Sequence, residues 1–380
     1  MTHWWFVCAA ASVLMPARPT RRTVLLLGVL GALAACGRTT GAPAPEALSV
    51  ASQVSGTNAL LIAVSAVNDR VAWASGALGT WLRTTDGGAT WTTGRVPGAD
   101  SLQFRDVHAL DARTAWLLSI GNGTDSRIYR TTDGGANWAR QFTNPDANGF
   151  YDCMSFWDAR RGVVIGDAIG SEMAVLLTQD GGERWTRVEG ASLPRAEAGE
   201  GSFAASGTCL TTGADGRAWI VMNTPARSRL LRTSDFGRSW ALETLPITTH
   251  EGSGAQSVTF RDAQHGMVLG GGYGVKPGDT LVAITDDGGD TWTPRNAPPF
   301  KVGTWGGSFV PGARTPTVVA VGPSGSAWSR DLGATWVPID SANYWSVGFA
   351  SGRAGWAVGT QGRVTRLGVT RLGVTRLGGW

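Results

Sequence analysis

Four carboxylate side chains in the middle of the sequence could carry out hydrolytic chemistry. They are Asp152, Asp167, Glu197 and Glu200. Most glycosidases need two such groups, one as a general acid and the other as a nucleophile or base. The sequence therefore contains enough carboxylates for a hydrolase, and the question is which elements position them.

An octapeptide with Asp at its third position recurs six times and indicates those elements. The copies are TTDGGATW (84–91), TTDGGANW (131–138), TQDGGERW (178–185), TSDFGRSW (233–240), TDDGGDTW (285–292) and SRDLGATW (329–336). Successive Asp residues lie 44 to 55 positions apart, a spacing typical of propellers and solenoids. Four strand-like runs fit inside each unit, so the sequence predicts an all-β propeller with one unit per blade.

The number of units predicts the number of blades. Six complete units run at about 60–98, 102–144, 149–190, 203–246, 253–300 and 303–341. A seventh begins at Tyr344 but lacks an Asp turn and a fourth strand. Residues 47–55 (ALSVASQVS) can supply that strand and cover an exposed edge. We therefore expect a seven-bladed β-propeller of four-stranded antiparallel blades over 47–368, with a WD40-like repeat architecture and a ring closed by an N-terminal strand.

The octapeptides themselves have a structural explanation. All six contain the Asp and the final Trp: Asp86, Asp133, Asp180, Asp235, Asp287, Asp331, Trp91, Trp138, Trp185, Trp240, Trp292 and Trp336. Asp caps backbone N–H groups of its own turn, and an indole fills the space between neighbouring sheets. A calcium loop needs several oxygen ligands, whereas each turn offers one Asp or two. We predict structural turns and no metal site.

These turns are the pattern of the Asp-box, or BNR, repeat. Runs such as VNDRVAWASG, WDARRGVVIGD, FRDAQHGMVLGG and SGRAGWAVG resemble BNR-type propellers related to the photosystem II assembly and stability factor. The stretches FYDCMSFWDARRGVVIGD and GEGSFAASGTC resemble a bacterial subgroup that often carries the name oxidoreductase. The resemblance implies an assembly or interaction scaffold outside the cytoplasm. Because Asp-boxes also occur in sialidases, xyloglucan-cleaving glycosidases and sorting receptors, the motif identifies a fold better than a function.

Function is expected on the face opposite the Asp turns, where the units differ from one another. Three long loops on that face, at 188–202, 245–256 and 270–280, belong to blades 3 to 5. They carry the candidate ligand or partner residues Arg195, Glu200, His250, Glu251, Tyr273 and Lys276. The alternative interpretation is that these residues are solvated loop charge without a partner.

Two cysteines occupy matching places in adjacent blades. Cys153 and Cys209 each lie nine residues before the expected start of a second strand, at Gly162 and Ala218. They are either small core residues or a disulfide that joins blades 3 and 4.

Other enzyme classes find less support in the sequence. A sialidase signature is missing, because the two Phe-Arg pairs read FRDV and FRDA within blade strands. For an oxidoreductase we find no G-x-G-x-x-G after a strand, no C-x-x-C-H and no His cluster. We predict no cofactor, and the sequence favours binding over catalysis.

The N-terminal region reads as an export signal. Arg18, Arg21 and Arg22 precede an apolar run from Val24 to Ala35, and Leu-Ala-Ala-Cys then ends at Cys36. This stretch resembles a bacterial lipobox with Cys36 as the lipidated residue, and translation is expected to start at Met15. Residues 37–50 are expected to form a flexible tether. Without 1–36 the chain has 30 basic and 29 acidic residues, so its charge does not point to nucleic acid.

The C-terminus contains the sequence VTRLG three times in succession, at 364–378. Only the first copy fits a third strand, and 369–380 is expected to be a duplicated tail or a competitor of 47–55. The leading hypothesis is a monomeric, lipid-anchored propeller of the bacterial envelope that binds an envelope or membrane protein. The alternative is a carbohydrate-active enzyme or sugar-binding module, and the third is an oxidoreductase with a cofactor that the sequence does not announce.

Overall fold

The computed structural model describes residues 46–371, with side chains to residue 369. The predicted signal with Met15 and Cys36, the tether up to residue 45 and the tail from residue 372 lie outside the described residues.

The described chain is built almost entirely of short strands. In chain order they are β1 (Glu46–Gln53), β2 (Leu61–Ala66), β3 (Ala72–Gly76), β4 (Thr80–Thr84), β5 (Thr92–Arg95), β6 (Gln103–Ala109), β7 (Ala115–Ile120), β8 (Arg127–Thr131), β9 (Ala139–Thr143), β10 (Tyr151–Phe156), β11 (Gly162–Ile169), β12 (Glu172–Thr178), β13 (Thr186–Arg187), β14 (Leu210–Thr212), β15 (Ala218–Asn223), β16 (Ser228–Thr233), β17 (Ala241–Leu245), β18 (Ser253–Phe260), β19 (Gly266–Gly272), β20 (Val282–Thr285), β21 (Thr293–Arg295), β22 (Gly306–Phe309), β23 (Val318–Gly322), β24 (Gly325–Ser329), β25 (Val337–Asp340), β26 (Tyr344–Ser351), β27 (Ala354–Gly359) and β28 (Val364–Arg371). Two 3₁₀ turns, Gly123–Asp125 and Gly190–Ser192, lie in loops. Among the described residues no helix is long and apolar enough to cross a membrane.

These strands form seven four-stranded antiparallel sheets, which confirms the predicted seven-bladed propeller. Blades 1 to 6 each use four consecutive strands, beginning with β2 in blade 1. Blade 7 has the order β1-β28-β27-β26, so its outer strand comes from the N-terminal side of the domain. In that pair Gln53 is opposite Val364 and Glu46 is opposite Arg371.

Two predicted boundaries are wrong by a few residues. Strand β1 begins at Glu46, inside the expected tether, and β28 continues to Arg371, three residues into the expected tail. Strand pairing extends beyond both predicted boundaries because each added residue has a partner on the other strand, as Leu48 has in Val369. Both of these side chains also pack against the same hydrophobic cluster, which favours the inclusion of residues 369–371 in the sheet.

Each Asp turn is held by its own side chains. In the first turn, Asp86 Oδ1 accepts hydrogen bonds from Thr90 N (2.9 Å) and Thr84 Oγ1 (2.8 Å). Gly88 N donates to Thr84 Oγ1 at 2.8 Å, and Gly88 has φ of +86°. The other five Asp side chains accept equivalent bonds. Their Trp side chains are all half-buried.

A second set of Trp residues, not singled out by the sequence analysis, links neighbouring blades. These are the fully buried indoles of second strands: Trp73, Trp116, Trp219 and Trp356. Trp116 Nε1 donates to the Gly181 carbonyl at 3.0 Å and Trp219 Nε1 to the Gly288 carbonyl at 2.8 Å, both in the Asp turn of the next blade. A buried indole N–H needs such an acceptor, so these bonds fix one blade against the next.

Candidate functional site

The inner strands of five blades carry a β-bulge at the same position. The bulged residues, which have no partner in the register of the second strand, are Ile62, Arg105, Asp152, Gln256 and Trp345. All five lie near the start of an inner strand, on the face opposite the Asp turns, which we call the connection face. A bulge redirects a side chain and is common beside functional sites. Because the five side chains differ, this ring of bulges is where the blades are individual.

Aromatic side chains extend from this ring across the connection face. Tyr273, after β19, makes an edge contact with Trp305 at 5.9 Å between ring centroids, and Trp305 makes one with Trp345 at 4.5 Å. The Arg105 guanidinium lies over the Trp345 ring at 5.2 Å, within the range of a cation–π interaction. We call these four residues the aromatic row. It joins blades 5, 6, 7 and 2 at the mouth of the central channel.

Blade 4 differs from the others at this position. The fourth unit was predicted to begin at about residue 203, but its first strand, β14, begins at Leu210 and has three residues. Residues 203–208 instead cross the channel, where the Ser206 carbonyl accepts a bond from Ser346 Oγ of blade 7. The segment FAASGT consists of small residues apart from one Phe, and small side chains fit a narrow channel better than they fill a sheet. The predicted start of the fourth unit therefore lies before its first strand.

Glu200 does not face solvent, contrary to the prediction. Its side chain is buried, with 1% exposure, and forms a two-point ion pair with Arg229 of β16. The Arg229 Nε–Glu200 Oε1 distance is 2.7 Å. Glu197 lies at 3.4 Å from Arg229 Nη1 and at 3.6 Å from Arg227 Nε. Both glutamates therefore neutralise arginines beside blade 4, and Glu200 is unavailable as a partner contact or a catalytic acid.

Asp152 is also buried, and Asp167 is half-buried. Asp152 is 1% exposed, and its Oδ2 has no hydrogen-bond partner. Burial, together with the nearby Asp167 charge, raises the pKa of Asp152 well above its usual range, against the opposing effect of Arg105. Burial raises the pKa of Asp167 to about 6, although Ser202 N–H donates to it. Because Asp152 is buried, these two side chains do not present a pair of exposed carboxylates to a polymeric substrate.

The remaining loop candidates lie around blade 5 and at the edge of blade 3. His250 Nε2 is 3.0 Å from Asp279 Oδ1, and Lys276 N donates to Asp279 Oδ2 at 2.7 Å. Glu251 is exposed, and Tyr273 is 79% exposed. The backbone of Arg195 forms an isolated antiparallel β-bridge with Glu172 at the outer edge of blade 3. Of the predicted partner residues, Tyr273 is the one that reaches the aromatic row.

Cys153 and Cys209 form a disulfide, the second of the two alternatives drawn from the sequence. Their Cα atoms are 6.1 Å apart, and both residues are fully buried. The second strands do begin at Gly162 and Ala218, so equal spacing correctly placed the two residues side by side. Among residues 46–371 no group of three or more His, Cys, Asp or Glu side chains is arranged for a metal ion.

Sequence reasoning missed Arg105, Trp305 and Trp345. Arg105 and Trp345 are single residues on inner strands, and their importance comes from bulges that an alternating pattern does not reveal. A comparison of the inner strands with one another, in the way the Asp turns were compared, would have shown that their early positions vary.

The fold and the site define a seven-bladed propeller with a variable connection face. No family model and no curated protein matches the sequence. Among solved structures, YCF48 bound to D1 peptide is 18% identical with a TM-score of 0.58, and the match covers 84% of this chain and 96% of that one. YCF48 from Cyanidioschyzon merolae is 18% identical with a TM-score of 0.61, covering 84% and 99%.

A glycoside hydrolase also has this fold. The GH74 xyloglucanase from Xanthomonas campestris is 16% identical with a TM-score of 0.56; the match covers 83% of this chain and 53% of the enzyme, about half of its length. At these identities the similarities establish the propeller fold alone.

Proposed function

We propose that this protein is an exported, lipid-anchored propeller that binds a segment of an envelope or membrane protein at the mouth of its central channel, as a complex-assembly scaffold. The observation that carries the proposal is the aromatic row. Tyr273 is highly exposed, and the row continues through Trp305 and Trp345 to Arg105. Aromatic and arginine side chains are the residues that contribute most to binding at protein interfaces.

The surroundings of the row favour binding over catalysis. The carboxyls nearest to it are enclosed or ion-paired, as described for Asp152 and Glu200. Arg105 places a positive charge over the Trp345 ring, which suits a peptide that presents an apolar side chain next to an acidic or carbonyl oxygen. The structural similarity to YCF48 bound to D1 peptide supports a peptide as the occupant.

The location is part of the same proposal. It rests on the basic and apolar segment that ends at Cys36. A buried disulfide suits an exported protein, because such bonds persist in oxidising compartments.

A sugar-binding or carbohydrate-active function is the second candidate. An exposed Tyr beside Trp rings could also stack on a sugar, and the xyloglucanase shares the fold. Its weakness is that two of the four candidate carboxylates, Asp152 and Glu200, are buried.

Binding assays with matched variants test both candidates. The purified protein, Tyr273→Ala and Trp345→Ala would be used to capture proteins from solubilised envelope membranes and would be applied to a glycan array. Val337→Ala is the control, because Val337 is 53% exposed on an outer strand of blade 6. We expect one protein to be captured by the wild type and the control but to be lost by roughly tenfold or more with each aromatic variant.

Two outcomes would contradict the proposal. A glycan that binds in a Tyr273-dependent manner without any protein partner would favour the second candidate. Capture that is equal for all four proteins would exclude the aromatic row as the interface.

A further inference from the structure

The segment Gly199–Thr208 crosses the central channel and blocks it, and we call this segment the plug. It leaves the sheet after blade 3, crosses the channel and joins blade 4 just before β14. Its centre is held by side-chain hydrogen bonds to four blades: Arg105 Nη1 to the Ala204 carbonyl (2.9 Å), Ser206 Oγ to the Trp305 carbonyl (2.7 Å), Ser346 Oγ to the Ser206 carbonyl (2.8 Å) and Thr208 Oγ1 to Ser257 Oγ (2.8 Å).

The two ends of the plug are held differently from its centre. At one end Gly201 and Asn223 exchange two backbone hydrogen bonds, of 2.9 and 2.7 Å. At the other end Val258 N donates to the Thr208 carbonyl at 2.9 Å. The bonds described above for the centre each use a side chain, so the centre could open without loss of a sheet hydrogen bond. Segments with few backbone bonds open locally more easily than sheets do.

The disulfide is placed where the plug meets the blade. Cys209 directly follows the plug, and its carbonyl accepts a bond from Val221 N at 2.9 Å. Its sulfur is bonded to Cys153 on the inner strand of blade 3. The covalent bond therefore fixes one end of the plug to the channel wall on the neighbouring blade.

The plug separates two different environments. On the connection face it lies beneath Arg105 and the aromatic row. On the other side is a cavity of roughly 220 Å³, lined by later inner-strand residues of all seven blades, including Ser65, Asp106, Ser155 and Thr259. Gly207 lies directly against the Asp106 carboxyl, where a Cβ would overlap it. If the plug opened, this polar cavity would become continuous with the mouth.

We propose that the plug is a redox-controlled closure of the channel. While Cys153 and Cys209 are bonded, the plug is closed. A dithiol reductant supplies two electrons and two protons, its own thiols become a disulfide, and Cys153 and Cys209 become two thiols. The plug end is then free of blade 3, and the side-chain hydrogen bonds alone must keep the centre in place. This inference does not depend on the partner proposed above.

Hydrogen exchange with mass spectrometry on the full chain tests the proposal. The oxidised protein would be compared with the reduced, alkylated protein and with a Cys153→Ala/Cys209→Ala variant, with the cysteine state confirmed by intact mass. We expect exchange in 199–208 to rise by roughly tenfold at short exposure times in both altered forms, when strands 61–66 and 318–322, which exchange only as the ring unfolds, are still protected. Reoxidation of the reduced, unalkylated protein should restore protection.

Two results would overturn it. Unchanged exchange in 199–208 when the bond is absent would mean that hydrogen bonds alone close the channel. A rise in 61–66 and 318–322 that has the same time course as the rise in 199–208 would mean that exchange follows unfolding of the whole ring and not opening of the plug. Two independent forms are used because either one alone could fail to fold.

Discussion

The two faces of the propeller follow opposite rules. On the Asp-turn face the same turn occurs six times, and each Asp accepts hydrogen bonds from backbone N–H groups of its own turn. On the connection face five inner strands share a bulge, but its residue is Ile, Arg, Asp, Gln or Trp. Repetition of a side chain identifies what the fold requires. Variation at a repeated backbone feature identifies where selection for function could act.

Removal of the disulfide should give the largest change in the free energy of unfolding. Its cysteines are 56 residues apart, and for a loop of that size the chain-entropy model predicts a loss of about 4 kcal/mol in the free energy of unfolding on reduction. Denaturant unfolding with and without reductant measures it. No change in the midpoint would show that the ring does not depend on the cross-link between blades 3 and 4.

A glycine of the Asp turns should come next. Gly135 has φ of +90°, and a Cβ there would overlap the Trp81 ring. We expect Gly135→Ala to lower the free energy of unfolding by about 3 kcal/mol, from backbone strain and overpacking. Gly98, with φ of +71° and open space around it, isolates the strain, so Gly98→Ala should lose only about 1 kcal/mol. Equal losses would contradict a packing role for the turn glycine.

The channel should give stability a pH dependence of its own. Burial raises the pKa of Asp106 from 3.8 to about 8, although Met154 N donates to its Oδ2 at 2.6 Å. The folded protein therefore holds a proton that the unfolded chain releases, and this contribution to stability decreases as pH rises from about 4 to 8. Asp106→Asn keeps an acceptor and should flatten the decrease in a pH series of unfolding midpoints. Asp152 and Asp167 act in the same direction, so some slope should remain; an unchanged slope would exclude Asp106.

The Asp turns should show the opposite pH dependence and a smaller effect. Burial raises the pKa of Asp287, but hydrogen bonds from Thr291 and Thr285 together outweigh it and lower the pKa to about 2. The ionised Asp287 side chain therefore stabilises the fold above pH 3.8, and this stabilisation is lost as pH falls towards about 2. Asp287→Ala should lower the free energy of unfolding at neutral pH by about 1 kcal/mol. The difference from wild type should shrink in acid, and a constant difference would argue against an ionised cap.

The smallest effect on stability should come from the aromatic row. Tyr273→Ala removes an exposed ring, so the unfolding free energy should stay within about 0.5 kcal/mol of wild type. Thermal or denaturant unfolding measures this, and a larger loss would mean that Tyr273 supports the fold. A stable variant that has lost partner binding would separate function from folding on this face.

The sequence predicted the blades well because Asp turns recur locally. It placed the second strands at Gly162 and Ala218 correctly, since turn and strand signals are short-range. It placed the start of the fourth unit at about residue 203, before the first strand of that blade, because a run of small residues carries no signal for crossing a channel. It also took Glu200 for a surface residue, because its partner Arg229 is 29 positions away in sequence.

Strand β1 has a consequence for the order of folding. Its partner is the last strand of the domain, and the bond from Ser49 Oγ to the Gly368 carbonyl joins residues 319 positions apart. Contacts this distant require the slow closure of a very long loop. During synthesis β1 is therefore the first of these strands to be made, and it stays unpaired until β28, the last one, has been made. Blades 1 to 6 can each fold as their own strands appear, whereas completion of blade 7 must be the final event.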